Sequence, residues 1–218
     1  MPHILNIDDV TPGDVLLCRS GSFDGGDIPE VTGSKYTHAA ICVRPHWVAE
    51  ASGRHVKVTQ IENLLETYNH IAVLHQPDYW SPSRVEKLLL FIDAALKRRA
   101  KFNCYGVRNF VEQKAHHQEN LNNKLYGFFE QSQPSPNAER DSYFCSELVA
   151  AAHVAVGIIE PSAAVVYDPS ILAPGELAND FTFGIFTGYL IPYPEYNIPE
   201  DDEFRLAPFV HEIFRTET

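Results

Sequence analysis

Tyr143-Phe144-Cys145-Ser146-Glu147-Leu148-Val149 is the stretch on which the fold turns. A thiol follows the polar pair Asp141-Ser142 and heads an apolar run through Ala150-Ala151-Ala152 to Val156, just before Gly157. The pattern predicts a helix that begins at Cys145, is capped by Asp141 or Ser142, and is stopped by Gly157. A thiol in the first turn sits at the positive end of the helix dipole beside unpaired N–H groups, and both favour thiolate. A free thiol titrates near ~8.5, and activated ones reach roughly 3.5–7.5. The competing reading is structural, since a free cysteine is commonly a small buried apolar residue.

A histidine far upstream bears on that choice. Tyr36-Thr37-His38-Ala39-Ala40-Ile41-Cys42-Val43 reads as a strand ending at Arg44-Pro45, and His46-Trp47-Val48-Ala49-Glu50-Ala51 follows as its hairpin partner. Side chains alternate along a strand, so His38, Ala40 and Cys42 share one face, as do Val48 and Glu50. An antiparallel turn back brings His38 and Glu50 to the same edge. A thiol enzyme needs this set: a base for the cysteine proton, and a third group that orients the imidazole and favours its charged form. Taken singly, His38 is better read as a hydrogen-bonded strand histidine and Glu50 as an exposed strand carboxylate; the three-part arrangement is what points to chemistry.

Four segments, Gly13-Asp14-Val15-Leu16-Leu17, Thr37-His38-Ala39-Ala40-Ile41, Val48-Ala49-Glu50-Ala51 and Phe144-Cys145-Ser146-Glu147-Leu148-Val149, occur in that order. Together they resemble the circularly permuted branch of the NlpC-type papain-like hydrolases, the YiiX-like group, in which the histidine strand precedes the cysteine helix. The resemblance spans Thr11 to about Phe186 and includes Tyr167-Asp168-Pro169-Ser170 ahead of a Phe-rich strand. It implies an α+β, papain-like fold: an antiparallel sheet or barrel packed against helices. It also implies Cys145 as nucleophile, His38 as general base and Glu50 as orienting residue. Phe102-Asn103-Cys104-Tyr105-Gly106 departs from the family pattern, where a Tyr-Asp-like pair is expected.

Composition narrows the classes. At 218 residues and 24.5 kDa the chain suits one well-buried core. With no internal repeat or linker, residues 1–218 are expected to form a single domain. A net charge of −12 argues against a nucleic-acid binder and against docking on anionic membrane. Cys18, Cys42, Cys104 and Cys145 form no Cys-x-x-Cys pair, which argues against a zinc site of that kind. Cys18 and Cys42 fall in expected strands and read as core packing. The N-terminus lacks a basic start followed by an apolar stretch, and no apolar run reaches spanning length. A soluble, cytoplasmic protein without a stable membrane anchor is expected.

Further strands are expected at Asp14–Arg19, His55–Ile61, Ile71–Leu74, Phe181–Phe186 and Tyr189–Ile191. Residues 20–35 form a glycine-rich loop leading into His38, without the Gly-Lys-Ser/Thr ending of a phosphate cradle. Ser81-Pro82 opens a helix whose Val85, Leu88, Leu89, Ile92 and Leu96 recur at helical spacing. Residues 112–141 are polar and read as a solvated connection, or as a lid beside Cys145. Their adjacent His116 and His117 point to different sides of any helix, which argues against a metal site. His153, two turns along the cysteine helix, reads as a core histidine. Glu200-Asp201-Asp202-Glu203 reads as a solvated acidic turn.

The chemistry these expectations describe is thiol attack on an acyl carbon, with the Cys145 N–H as one oxyanion donor and no cofactor or metal required. By the resemblance, the substrate is an amide in a small peptide, cell-wall-type or γ-linked. Permuted relatives resembling lecithin:retinol acyltransferase keep the same residue order and imply an alternative, acyl transfer on lipids or other esters. An inactive papain-like binding module is the third reading.

Overall fold

The structure, a computed structural model, describes residues 2–20, 34–103, 110–130, 138–160, 163 and 172–205. Its strands are β1 (Val15–Arg19), β2 (Tyr36–Arg44), β3 (Trp47–Ser52), β4 (His55–Gln60), β5 (His70–His75), β6 (Lys101–Phe102), β7 (Ser142–Tyr143) and β8 (Ile185–Leu190). Its helices are α1 (Ile61–Thr67), α2 (Pro82–Lys97), α3 (Phe110–Phe129) and α4 (Cys145–Ala155). The strands form one mixed sheet in the order β7-β6-β4-β3-β2-β1-β5-β8. Every pairing is antiparallel except the short parallel one between β6 and β7. The class is α+β. The glycine-rich residues 21–33, Cys104-Tyr105-Gly106, Pro134-Ser135-Pro136 and Tyr167-Asp168-Pro169-Ser170 lie outside the described residues.

Strand alternation sorts the core. Val15, Leu17, Ala39, Ile41, Ala49 and Ala51 cluster with Leu88 and Ile92 of α2 and Leu148 and Val149 of α4. The opposite set, Leu16, Cys18, Ala40, Cys42, Val48, Ile71 and Val73, clusters with Ile61 and Leu64 of α1. With both faces covered, β2 is buried from Tyr36 to Val43 instead of alternating. The hydrophobic contribution is about 25 cal/mol per Å² of apolar surface removed from water, so this central strand contributes on both sides. Cys18 and Cys42 are free, buried members of the second cluster.

Local chemistry sets the element ends. The Ser81 Oγ accepts from the Arg84 N–H and Pro82 occupies the first turn of α2. The helix buries Leu88, Phe91, Ile92 and Ala95, while Val85, Leu89 and Leu96 flank that stripe half-buried. Gly13 turns into β1 at φ +100°, and a Cβ there would meet the Trp80 indole at 2.2 Å, so both backbone and space demand glycine. Among the described residues no helix is long and apolar enough to cross a membrane.

Three expectations are corrected. Within the polar residues 112–141, expected as a loop-like solvated connection or lid, residues 110–129 form helix α3, whose Glu, Leu, Ala and Lys residues favour helix. His116 is exposed on it and His117 buried. Phe181–Phe183 is a 3₁₀ turn rather than a strand. The Asp180 carboxylate accepts from the Thr182 N–H, and Gly184 at φ +112° redirects the chain, so one strand, β8, begins only at Ile185. The acidic segment is the largest departure. Asp202 is buried, and its carboxylate accepts from Arg19 (2.8 Å), both Tyr36 and Tyr189 hydroxyls (3.1 and 2.7 Å) and His70 Nε2 (2.9 Å). Asp201 pairs with Arg19 and Lys35, and Glu203 accepts from the Lys35 N–H and the Ser34 hydroxyl. This turn therefore ties down residues on both flanks of segment 21–33.

Candidate active site

The site is assembled where β1, β2 and β3 meet the start of α4. On β2, Cys18 pairs with His38 and Arg19 with Tyr36, which leaves Thr37 as an extra residue, a bulge immediately before the histidine. A bulge bends its strand and re-aims the neighbouring side chain. The Thr37 and Ser20 hydroxyls, 2.5 Å apart, close the same edge. Ile41 and Cys42 pair with Ala49 and Val48 across the hairpin. Continuing that register puts Glu50 opposite Ala40, diagonal to His38, within side-chain reach on one face.

His38 Nε2 and Glu50 Oε2 are 2.6 Å apart, with both residues buried. The other carboxylate oxygen, Oε1, lies 3.2 Å from the Lys57 ammonium, which stands directly across from Glu50 on β4. Burial pushes the Glu50 carboxyl up, but the hydrogen bond to His38 and the Lys57 charge outweigh it and hold the group below its usual range. For His38, burial opposes protonation. Hydrogen bonds to the Cys145 side chain and to Glu50 overcome that and raise the imidazole to about 9. Since Glu50 occupies Nε2, Nδ1 is the nitrogen left to address the thiol.

Cys145 is the first residue of α4 and is buried at the end of a cleft of about 350 Å³. Thr37, His38, Tyr68, Phe102 and Phe144 also line this cleft. The helix is not capped by Asp141 or Ser142, which corrects the expectation. The Asp141 carbonyl and Ser142 are committed to pairing with β6. Instead Glu147, in the first turn, reaches back to accept from the Phe144 N–H at 2.9 Å while Arg140 holds its other oxygen at 2.7 Å. This is the reciprocal half of a capping box, and it leaves the Cys145 side chain clear of any capping role. The N–H groups of a first helical turn have no acceptor within the helix. Gly157, at φ +76°, ends the helix as expected.

The sequence-derived set Cys145, His38 and Glu50 thus converges on one spot, while His153 stays apart. His153 donates from Nδ1 to the Val149 carbonyl (2.9 Å) and lies between Trp80 and Phe183, where burial depresses it to about 4. Two contributors were not anticipated. Lys57 was legible in principle, since the tight Gly53-Arg54 turn fixes the register that opposes it to Glu50. Tyr68, whose ring stacks on His38, carries no local signal. Among the described residues no group of three or more His, Cys, Asp or Glu is arranged to hold a metal ion.

No family model and no curated protein matches the chain. Among solved structures it is similar to the crystal structure of metalloprotein yiiX from Escherichia coli O157:H7, DUF1105. The two share 16% identity over 85% of this chain and 90% of that one, with a TM-score of 0.45.

Proposed function

We propose that this chain is a cysteine-dependent hydrolase of the circularly permuted, papain-like kind, forming one domain and cleaving an amide bond. The observation that carries the reading is a thiol at a helix start that shares one cleft wall with a histidine whose Nε2 is held by a buried carboxylate. In the reaction His38 takes the Cys145 proton and sulfur bonds to the amide carbon. The carbon–nitrogen bond then breaks as His38 protonates the leaving amine. Water, deprotonated by His38, releases the carboxylic acid and restores the thiol. Glu50 fixes the imidazole and stabilises its charge, with Lys57 bracing the carboxylate from behind. The Cys145 N–H is one oxyanion donor. The substrate class implied by the resemblance is a small peptide, cell-wall-type or γ-linked, turned over in the cytoplasm.

The test is iodoacetamide alkylation of each cysteine against pH, followed by mass spectrometry, in wild type and His38→Ala. Cys145 is expected to label faster than Cys18 and Cys42, whose thiols burial pushes up, Cys42 to about 12. Losing His38 is expected to slow only Cys145. Labelling of Cys145 at the rate of the two core cysteines, unchanged in the variant, would overturn the reading in favour of a papain-like binding module.

One observation favours a second reading. The described cleft lining holds no charged side chain besides His38 and presents the rings of Phe102, Phe144 and Tyr68. Such walls suit an apolar acyl group, as in a thiol esterase or acyltransferase. Release of a fatty acid from an ester by wild type but not by Cys145→Ala would select it.

A further inference from the structure

Tyr68 lies where α1 gives way to β5, and its backbone is fixed on both sides. Its N–H donates to the Leu64 carbonyl at 2.8 Å, and the following Asn69 N–H donates to the Arg19 carbonyl at 2.9 Å. From that anchored position its ring stacks, offset, on the His38 imidazole, with planes within 5° and centroids 5.3 Å apart. It also forms part of the cleft wall. Glu50 bonds to the imidazole from β3, Cys145 from α4 lines the same cleft, and Lys57 stands behind Glu50. In-plane partners aim the ring nitrogens, and a stacked aromatic face adds contact over the ring itself and attracts a cation held against it.

We propose that Tyr68 is a positioning residue for His38, its ring fixing the imidazole plane and favouring the protonated form. The inference rests on the reading of Cys145 and His38 as nucleophile and base. Burial and the neighbouring Cys18, Glu50 and Cys145 keep the phenol protonated, so the ring faces the imidazole uncharged. The ring, not the hydroxyl, does the positioning, which separates the phenylalanine variant from the aliphatic ones.

The test is a pH titration of the His38 ring by ¹H–¹⁵N NMR in wild type, Tyr68→Phe and Tyr68→Leu, with Cys145 alkylation rates measured alongside. Tyr68→Phe is expected to titrate as wild type does. Tyr68→Leu is expected to lower the His38 midpoint by roughly half a pH unit and to slow Cys145 alkylation about threefold. A midpoint and rate unchanged in Tyr68→Leu would overturn the proposal. So would an equal loss in Tyr68→Phe, which would move the effect to the hydroxyl. Should the leucine variant fail to fold by circular dichroism, Tyr68→Met replaces it with the same expectations. The underlying reading fails separately, if His38→Ala leaves Cys145 alkylation unchanged in protein that retains Tyr68.

Discussion

Among the described residues, two buried histidine–carboxylate pairs invite comparison, and one of them lies beside a cysteine at the edge of a cleft. His38 with Glu50 (2.6 Å) and His70 with Asp202 (2.9 Å) use the same atom types at comparable separations. The His70 ring is spent, with Nε2 on Asp202 and Nδ1 on the Tyr196 hydroxyl (3.0 Å). Asp202 is saturated by four side chains and the Phe204 N–H. His38 instead keeps one nitrogen for Cys145 and borders a cleft. A buried histidine–carboxylate pair with every valence satisfied holds chain segments together; one with a nitrogen left toward a thiol can move a proton.

The largest effect that separates the two is expected from Asp202→Ala. Removing the carboxylate leaves Arg19 and three buried donors without their acceptor, and truncating one partner of a buried pair costs about 3–5 kcal/mol. Urea unfolding should show that loss, while the alkylation rate of Cys145 in the folded fraction stays within about twofold of wild type. A large drop in Cys145 reactivity without a loss of stability would break the division between clasp and cleft. Glu50→Gln is expected to do the reverse. The amide keeps the shape but no longer stabilises an imidazolium, so Cys145 alkylation near neutral pH should slow by about 10- to 100-fold. Unfolding free energy should change less than it does in Asp202→Ala. An alkylation rate unaffected by Glu50→Gln would remove Glu50 from the site and leave it a partner of Lys57.

The cleft was more legible than the clasp because its determinants are local. Alternation along Tyr36–Val43 and a short turn are enough to bring His38 and Glu50 to one edge. The end of α4 follows from Gly157, and its apolar run from Leu148 to Val156 announces the helix though not its cap. What supports these residues could not be read in this way. Glu147 takes the capping role because Asp141 and Ser142 are claimed by β6, a strand of two residues with little pattern of its own. Asp202 gathers Arg19, Tyr36, His70 and Tyr189 from four strands, so composition alone made its segment look solvated. Tyr68 reaches His38 only through the path the chain takes around α1. Helix α3 escaped for another reason: periodicity looks for an apolar stripe in the sequence, and the sequence of residues 112–124 is largely polar.

The smallest expected effect comes from His153, which shares α4 with Cys145 and tests whether any buried histidine near the thiol contributes. Its folded pKa is depressed to about 4, below the ordinary ~6.5 of a free histidine, because burial among Trp80 and Phe183 disfavours the cation. The unfolded chain therefore binds the proton more readily, and stability is lost as pH falls from ~6.5 toward 4. His38 carries the opposite sign. Raised to about 9, it contributes fully below ~6.5 and loses that contribution as pH rises through 9. His153→Leu should change unfolding free energy at pH 7 by no more than about 1.5 kcal/mol, since it gives up one hydrogen bond to Val149 and keeps most of the apolar volume. It should also flatten the acid side of the stability profile while leaving the decline toward pH 9 and the Cys145 alkylation rate in place. A variant that instead flattened the alkaline side, or slowed Cys145, would tie His153 to the thiol and enlarge the site along the helix.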